Sequence, residues 1–273
     1  MKRKNSGVGG VFLLCAAGFT QLYAQSPSVS PGGVVNAATF ANGQAVSPGS
    51  LVAIFGSQLA VQTAVAATIP LATMLANVSV TFNGEPAPLS FVSGGQINAQ
   101  VPWDTLNGTA GMANIVVTNN ATSSPPQPVL IGPVGPGVYA TTDGHAIAVN
   151  ATDSTSDRYG KIAAPAGSIQ GLTTAPAHVG DVLIVYATGL GPVDSPIATG
   201  ANSLDKIRNT VNKPTVLIGN VPADLPFSGL SPQFVGVYQL NVVVPQVPSG
   251  NAVPIQIQMG GITTPATTNI AVQ

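Results

Sequence analysis

A seven-residue pattern occurs twice in this chain and constrains its fold more than any other feature. Residues 96–102 read Gln-Ile-Asn-Ala-Gln-Val-Pro, and residues 239–245 read Gln-Leu-Asn-Val-Val-Val-Pro. In both copies polar and apolar residues alternate over the first three positions, which is the period of a half-buried β-strand. Proline then ends the run, because it cannot donate a hydrogen bond to a sheet. The recurrence indicates an internal duplication, in which each copy is the same strand of the same module.

Other features recur in the same order in both halves. A Gly-containing turn followed by an apolar strand spans residues 48–56 and again 179–187, and a strand followed by a turn of Asn and Gly spans 78–84 and again 215–220. Asn-Gly between two strands is a strong signal for a β-hairpin. The same alignments match two pairs of aromatic residues, Phe55 with Tyr186 and Phe91 with Phe227. The second copy then carries about seven extra residues before its Gln-Leu-Asn strand.

Short strands separated by turns predict an all-β fold. Pro lies at strand ends, and the sequence contains no convincing amphipathic helix. At roughly 150 residues per domain, a chain of 273 residues holds about two domains. We therefore predict two tandem immunoglobulin-like β-sandwich domains joined by a structured hairpin linker. The predicted segments are a signal peptide over 1–24, a flexible lead over 25–34, a first sandwich over 35–131, the linker over 132–166 and a second sandwich over 167–273.

The linker is predicted to be structured because it contains another hairpin signal. Residues 138–142 and 145–149 are strand-like, and Asp143 and Gly144 lie between them as a typical two-residue turn. A polar loop follows, from residue 150 to about residue 161. We expect this segment to pack along the modules and to restrict motion between them.

The N-terminus has the parts of a secretory signal peptide. Residues 2–4 are basic, residues 8–19 are apolar, and Ala24 provides a small residue at the predicted cleavage site. The one cysteine, Cys15, lies in the apolar run; a lipoprotein anchored there is the alternative, but small residues just before the cysteine are missing. No later stretch approaches the roughly 20 apolar residues of a membrane span. We predict a secreted protein without disulfides, extracellular or at the cell surface, with the periplasm as an alternative, and no membrane insertion after signal cleavage.

Charge is scarce, and its distribution argues against two classes of partner. Only 6% of the residues are charged, against roughly 25% in an average globular protein. Signal cleavage would remove three of the eight basic residues and leave nine acidic ones, which gives a net charge near −4. The sequence has no basic stripe for nucleic acid or for an anionic membrane surface.

Several stretches resemble a known family: residues 35–40, 48–56, 96–103 and 185–191, together with the Gln-Leu-Asn strand. The family is a group of secreted acidobacterial proteins of unknown function, the Solibacter-type C-terminal module, and the resemblance runs from about residue 33 to the end of the sequence. Each half is also similar to the immunoglobulin-like domains of the IPT/TIG class. In the family this module often ends longer secreted proteins. The resemblance implies an exported β-sandwich protein, and it implies no catalytic residues because the family has none established.

The repeated amide side chains and one tryptophan are the candidate ligand-binding residues. They are Gln96 and Asn98 in the first copy, Gln239 and Asn241 in the second, and Trp103, the only Trp of the chain. A ligand site built twice explains the amides, but bracing of a neighbouring loop is the commoner role of a strand Asn. An exposed Trp offers a face for stacking on a sugar ring. The alternatives for Trp103 are a plug at the end of the first sandwich and padding between the modules.

Patterns for catalysis and metal binding are weak. His145 and His178 lack metal-ligand spacing, and the acidic loop at residues 153–157 lacks the central Gly and closing Glu of an EF-hand. No nucleophile elbow or phosphate loop occurs. We predict no cofactor and no metal. A hydrolase with a site between the modules would require His145, His178 and Asp181, or nearby acids, to come within hydrogen-bond reach of one another.

Export, duplication and the lack of a catalytic pattern together predict a non-catalytic binding or cell-surface structural protein rather than an enzyme. An extracellular glycan or protein is the expected partner, held by sandwich loops or by strand addition. A carbohydrate-binding protein is the first alternative, and the hydrolase is the second.

Overall fold

The computed structural model describes Met1 and residues 26–273. The predicted signal peptide, apart from Met1, lies outside the described residues, as does Cys15. The prediction of an all-β fold is confirmed: residues 26–273 form 21 strands, and their sole helical segment is the 3-10 turn Thr105–Gly108. In the same part of the chain, no helix has the length and apolar character needed to cross a bilayer.

The first module spans residues 28–131. Its strands are β1 (Ser28–Asn36), β2 (Leu51–Ser57), β3 (Ala64–Val65), β4 (Met74–Leu75), β5 (Val78–Phe82), β6 (Glu85–Ala87), β7 (Leu89–Val92), β8 (Gln96–Gln100), β9 (Gly111–Asn119), β10 (Thr122–Ser123) and β11 (Gln127–Ile131). One sheet has the order β1-β2-β8-β7-β3, and the other has the order β10-β9-β5-β4, with β11 also paired to β9 and β6 to β5.

The second module spans residues 137–272. Its strands are β12 (Gly137–Val138), β13 (Ala148–Asn150), β14 (Val182–Thr188), β15 (Thr215–Ile218), β16 (Val221–Pro222), β17 (Phe227–Leu230), β18 (Tyr238–Val243), β19 (Gly250–Met259), β20 (Ile262–Thr263) and β21 (Asn269–Val272). One sheet has the order β12-β14-β18-β17, with β13 also on β14, and the other has the order β16-β15-β19-β20, with β21 on β19.

Each module has its own hydrophobic core, to which both of its sheets contribute. Phe82 of β5 and Ile54 of β2 lie in the first core, and Leu240 of β18 and Ile255 of β19 lie in the second. Burial alternates along β5, where Val78, Val80 and Phe82 enter the core and the two residues between them stay half-exposed. This is the period-2 pattern of a strand with one buried face.

Both predicted turns of Asn and Gly are present as hairpins. β5 and β6 pair around residues 83–84, and β15 and β16 pair around residues 219–220. All four turn residues have positive φ, at 48° and 89° in the first hairpin and 58° and 67° in the second. Positive φ at both central residues defines the type I′ turn, which Asn and Gly adopt at low cost.

The flexible lead predicted over residues 25–34 is wrong from Ser28 onward. Residues 28–36 form β1, which pairs with β2, and Val29 and Val34 are buried in the first core. The Ser, Pro and Gly residues that suggested flexibility occupy positions 30–33, where the register of the strand pair shifts in a bulge. A bulge leaves its extra residues unpaired, so they need no strand-forming side chains.

The linker predicted over residues 132–166 belongs largely to the second module. β12 and β13 both pair with β14, and Val138, Ala146, Ala148 and Ala163 are buried in the second core. The second module therefore begins near residue 137 rather than residue 167. The reason is that these strands continue its sheet and cover its core, as β1 does in the first module.

The two modules interrupt their first strand at the same place. The first strand separates from β2 over residues 30–33 in the first module, and the corresponding strand separates from β14 over residues 140–146 in the second, since Tyr139 and Ile147 still hydrogen-bond to Tyr186 of β14. The partners that flank both excursions are equivalent in the duplication, Gly56 and Ile54 in β2 with Ala187 and Val185 in β14. The longer excursion contains the predicted turn, in which the Gly144 N–H donates to the carbonyl of Thr141 at 2.9 Å. The predicted linker hairpin is thus an enlarged form of the bulge.

Buried polar contacts join the modules. Gln100 is 1% exposed. Its Nε2 donates to the carbonyl of Gly49 within the first module at 3.1 Å, and its Oε1 accepts from the N–H of Gly200 of the second module at 2.7 Å. The N–H of Leu51 donates to Oγ1 of Thr188 at 3.0 Å. A buried polar group that loses its partner is costly, so these bonds hold the modules in a defined arrangement.

Candidate functional site

The repeated amides form the same hydrogen-bonded pair in each module. Gln96 Nε2 donates to Asn98 Oδ1 at 2.8 Å in β8, and Gln239 Nε2 donates to Asn241 Oδ1 at 2.8 Å in β18. The residues between and beside them point to the core, so all four amides lie half-exposed on the outer face of their sheet. The amides therefore bond to each other along the strand and do not brace a loop through these bonds.

Aromatic side chains flank each amide pair at equivalent positions. Directly opposite residues in antiparallel strands share one face. Phe55 of β2 lies opposite Gln96 and Phe91 of β7 lies opposite Asn98. In the second module the corresponding residues are Tyr186 of β14, opposite Gln239, and Phe227 of β17, opposite Asn241. We call each set of two amides and two rings an amide–aromatic face.

The amide–aromatic face of the second module opens into a recess. The recess has a volume of about 290 Å³, and Phe227, Gln239, Asn241, Lys206, Ile207 and Pro232 are among the residues that line it. Gln239, Asn241 and Phe227 form its floor, and Lys206 brings one positive charge. The structure thus brings two of the five predicted binding residues together at one cavity.

The wall of the recess is a long loop held by Arg208. This side chain is 5% exposed; its Nε donates to the carbonyl of Pro196 at 3.0 Å, and its two terminal nitrogens donate to Asp205 at 2.6 and 2.9 Å. These hydrogen bonds lower the pKa of Asp205 to about 2. The main chain at Arg208 pairs with β17, because the N–H of Leu230 donates to the carbonyl of Arg208 at 2.9 Å. The loop is therefore anchored at both its centre and its end.

Trp103 lies between the modules and apart from the recess. Its ring fills the space beside Gly49, where a Cβ on that glycine would lie only 2.2 Å from the nearest ring atom. It also packs, half-buried, against the core of the second module, and its main-chain N–H donates to Oγ1 of Thr199 at 3.2 Å. This position agrees with padding between the modules among the predicted roles, and Trp103 does not join the amides at one site.

The residues of the hydrolase hypothesis form no acid–histidine pair. Asp181, 4% exposed, accepts hydrogen bonds from Arg158 at 3.0 and 3.2 Å, from Asn150 at 2.7 Å and from the main-chain N–H of His178 at 2.8 Å. Burial alone would raise the pKa of Asp181, but these bonds outweigh it and lower the pKa below its usual value. His145 Nδ1 bonds instead to Asn269 Oδ1 at 2.9 Å.

Two asparagines that the sequence reasoning did not single out hold equivalent structural positions. Asn36 Oδ1 accepts from the N–H of Ala38 at 2.8 Å, and Asn150 Oδ1 accepts from the N–H of Thr152 at 3.1 Å. Each is the last residue of the interrupted first strand of its module. The signal for them is the tripeptide Val-Asn-Ala, which occurs at 35–37 and again at 149–151.

The acidic loop at residues 153–157 is the other candidate for metal binding. Asp153 Oδ1 accepts hydrogen bonds from the N–H and Oγ1 of Thr155 at 2.9 and 2.8 Å, and these bonds lower the pKa of Asp153. Within residues 26–273, no three His, Cys, Asp or Glu side chains are grouped so that they could hold a metal ion.

Comparison with known proteins gives no family. No protein-family model matches the chain, and no curated protein matches it. Among solved structures, the chain has a TM-score of 0.32 and 11% identity to SGBP-B of the Bacteroides ovatus mixed-linkage glucan utilization locus, in complex with mixed-linkage heptasaccharide, over 84% of this chain and 43% of that chain. The chain thus spans less than half the length of SGBP-B.

Two structures of the S-layer protein SbsC are also similar. Domains 5–6 match with a TM-score of 0.25 and 10% identity over 90% of this chain and 98% of that chain. Domains 4–9 match with a TM-score of 0.26 and 14% identity over 90% of this chain and 31% of that chain. TM-scores this low carry no argument about function, so the family resemblance and the immunoglobulin-like assignment stay predictions.

Proposed function

We propose that this chain is a secreted, non-catalytic binding protein that takes a glycan on the amide–aromatic face of its second module. The observation that carries the proposal is the recess of about 290 Å³, where the Gln239–Asn241 pair and Phe227 lie together. Ligand pockets have volumes of roughly 300–1,000 Å³. The recess lies just below that range, which suits a short segment of a chain rather than a large ligand.

The chemistry of the recess suits a ligand rich in hydroxyl groups. The bond from Gln239 to Asn241 uses one amide hydrogen and one carbonyl oxygen, and an amide side chain has two hydrogens and an oxygen with two lone pairs. Donors and acceptors therefore remain on both side chains, and they match sugar hydroxyls, which also donate and accept. The Phe227 ring beside them offers an apolar surface for the C–H groups of a sugar.

Binding is favoured over turnover because Asp181 is already occupied. Its carboxylate accepts bonds from Arg158, Asn150 and the main chain of His178, and it orients neither imidazole ring. A general base needs its carboxylate or imidazole within reach of the proton that it removes. The acid of the hydrolase hypothesis is instead a structural ion pair with Arg158.

A pull-down with insoluble polysaccharides tests the proposal. The purified protein is incubated with cellulose, chitin, xylan and peptidoglycan, alongside Phe227→Ala, Asn241→Ala and the matched first-module variant Phe91→Ala. We expect retention on at least one polymer that falls by up to about tenfold in Phe227→Ala and Asn241→Ala but not in Phe91→Ala. One ring contact or one hydrogen bond contributes up to about 1.5 kcal/mol, and a factor of ten corresponds to about 1.4 kcal/mol. Release of soluble sugar from the retaining polymer, abolished by one point variant, would show an enzyme instead. No retention on any polymer would leave a structural role at the cell surface.

A further inference from the structure

A larger cleft lies between the modules, apart from the recess. Its volume is about 470 Å³, inside the roughly 300–1,000 Å³ range of ligand pockets. One wall is residues 38–40 of the first module, and the other is formed by residues 138–144 and by residues 264–268 of the second. Much of the second module's wall comes from its longer excursion, residues 140–146, where the first module has only a bulge.

Phe40 is the prominent side chain of the first wall. It is 53% exposed and has φ at 53°, a left-handed conformation that is a genuine outlier for a bulky residue. Its ring lies 6.3 Å from that of Phe55, at an interplanar angle of 46°. Outliers of this kind persist where the surroundings enforce them, and they occur often at ligand sites.

Asn36 holds the loop that presents Phe40. Its Oδ1 accepts from the main-chain N–H groups of Ala38 at 2.8 Å and Thr39 at 3.3 Å, and its carbonyl accepts from the N–H of Phe40 at 2.9 Å. Its Nδ2 donates to the carbonyl of Gly135 at 2.7 Å, in the segment that leads into the second module. Asn36 thus holds the loop of Phe40 and ties it to the segment that precedes the second wall.

The opposite wall is hydrogen-bonded to the rest of the second module and is rich in hydroxyl groups. The turn at Gly144 is docked on the C-terminal segment, because the N–H of Asn269 donates to the Gly144 carbonyl at 2.9 Å. Threonines supply most of the polar atoms of the cleft, at positions 39, 141, 142, 264, 267 and 268. Within the described residues, the hydroxyls of Thr142, Thr267 and Thr268 bond to no other part of the protein. Asp143 is the one charged residue of the lining, and the lining contains no Lys or Arg.

We propose that this cleft is a second binding site, which takes a neutral oligosaccharide with one sugar stacked on Phe40 and its hydroxyls bonded to the threonines of the opposite wall. The exposed ring covers the C–H face of a sugar, and free hydroxyls both donate to and accept from sugar hydroxyls. An anionic sugar is excluded because Asp143 faces it with no cation in the lining. A peptide that binds by strand addition is disfavoured because this mode needs an exposed sheet edge, and the walls of this cleft are mainly turns and loops.

Isothermal titration calorimetry with soluble hexasaccharides of cellulose, xylan, laminarin, mannan and chitin tests the proposal. The key variant is Phe40→Gly, because glycine adopts a positive φ without strain and therefore removes the ring while keeping the loop. Phe234→Ala is the matched control: Phe234 is also a half-exposed ring, paired at 6.0 Å with Tyr186, the counterpart of Phe55, and it lies outside the cleft. Thr142→Val removes one free hydroxyl at nearly constant shape.

We expect wild-type protein to bind at least one hexasaccharide. Phe40→Gly removes one ring contact and should lower the affinity about tenfold. Thr142→Val should lower the affinity several-fold. Phe234→Ala is expected to bind like wild type, and thermal unfolding is expected to show all three variants folded. Binding that survives both Phe40→Gly and Thr142→Val overturns the site, as does the lack of binding to every hexasaccharide at millimolar concentration. Capture of an unstructured decapeptide library that depends on Phe40 overturns the ligand class.

The same variants separate this site from the recess. An affinity that falls in Phe227→Ala but not in Phe40→Gly overturns the proposal that the cleft binds the oligosaccharide and supports the proposed function. Affinity that falls in Phe40→Gly but not in Phe227→Ala supports the cleft and contradicts the recess as the glycan site.

Discussion

Replacement of Gln100 by Leu is the most direct test of how the two modules are held together. The substitution keeps the approximate size of the side chain but removes its bonds to the carbonyl of Gly49 and to the N–H of Gly200. Both main-chain groups belong to buried residues, so each is left without a partner. A net hydrogen bond contributes about 0.5–1.5 kcal/mol, and a buried group left unpaired costs about 1–3 kcal/mol. We expect Gln100→Leu to lower the free energy of unfolding by about 2–4 kcal/mol on this basis.

Trp103 provides the assay, because it is the only Trp of the chain and it packs between the modules. Urea unfolding followed by its fluorescence reports the loss of this contact, and far-UV circular dichroism reports the loss of strands. Gln96→Leu is the matched control, since Gln96 is half-exposed and makes one side-chain bond, to Asn98; it is expected to cost less than about 1 kcal/mol. Equal, small effects of both variants would refute the reasoning that Gln100 is a principal bond between the modules.

Three other predictions concern the rest of the fold. Asp181 has a folded-state pKa below its unfolded value of about 3.9. The stability that it contributes is therefore complete above that pH and is lost as the pH falls through the lower, folded pKa. Asp181→Asn should flatten the dependence of the free energy of unfolding in urea on pH below about 4, and an unchanged slope would contradict this. Phe82→Ala should lower the free energy of unfolding by about 3–5 kcal/mol, because Phe82 is fully buried. Met112→Ala, at an exposed position, should change it by no more than about 0.5 kcal/mol. Similar melting temperatures of the two variants would refute the assignment of the core. Gly189→Ala should cost more than about 1 kcal/mol, because φ is 79° and the new Cβ would lie 1.9 Å from the carbonyl oxygen of Gly135; native-like unfolding would contradict that close approach.

The strands with clear alternation can be predicted from the sequence almost to the residue. The pattern over residues 78–82 predicts the strand that forms β5, because every second side chain there is apolar and buried. The Asn-Gly turn after β5 is predicted because both residues tolerate positive φ, and in the structure both residues have positive φ. The duplicated Gln and Asn are candidates from the sequence alone, and the structure shows why they recur together: within each strand they bond to each other.

The remaining features depend on contacts that a sequence does not display. The Ser-Pro-Gly-Gly run at 30–33 has the composition of a linker, and only the pairing of its flanks with β2 shows it to be a bulge. The role of Trp103 depends on where the second module lies, which no local pattern encodes. The recess depends on Arg208 folding a distant loop over Phe227, and the aromatic matches of the duplication mark only the residues beneath it.

The interrupted first strand also has a practical consequence for protein engineering. Residues 30–33 already lie outside the ladder of β1 and β2, and the second module shows that this position accepts a segment as long as 140–146 while the flanking residues stay in register. Neither the sheet nor the core has to be redesigned to accommodate added chain there. The bulge of the first module is therefore a suitable position for a grafted peptide, an epitope tag or a second recognition loop. The added chain belongs before Gly33, which has to stay glycine because a Cβ there would lie 2.7 Å from the carbonyl oxygen of Phe55.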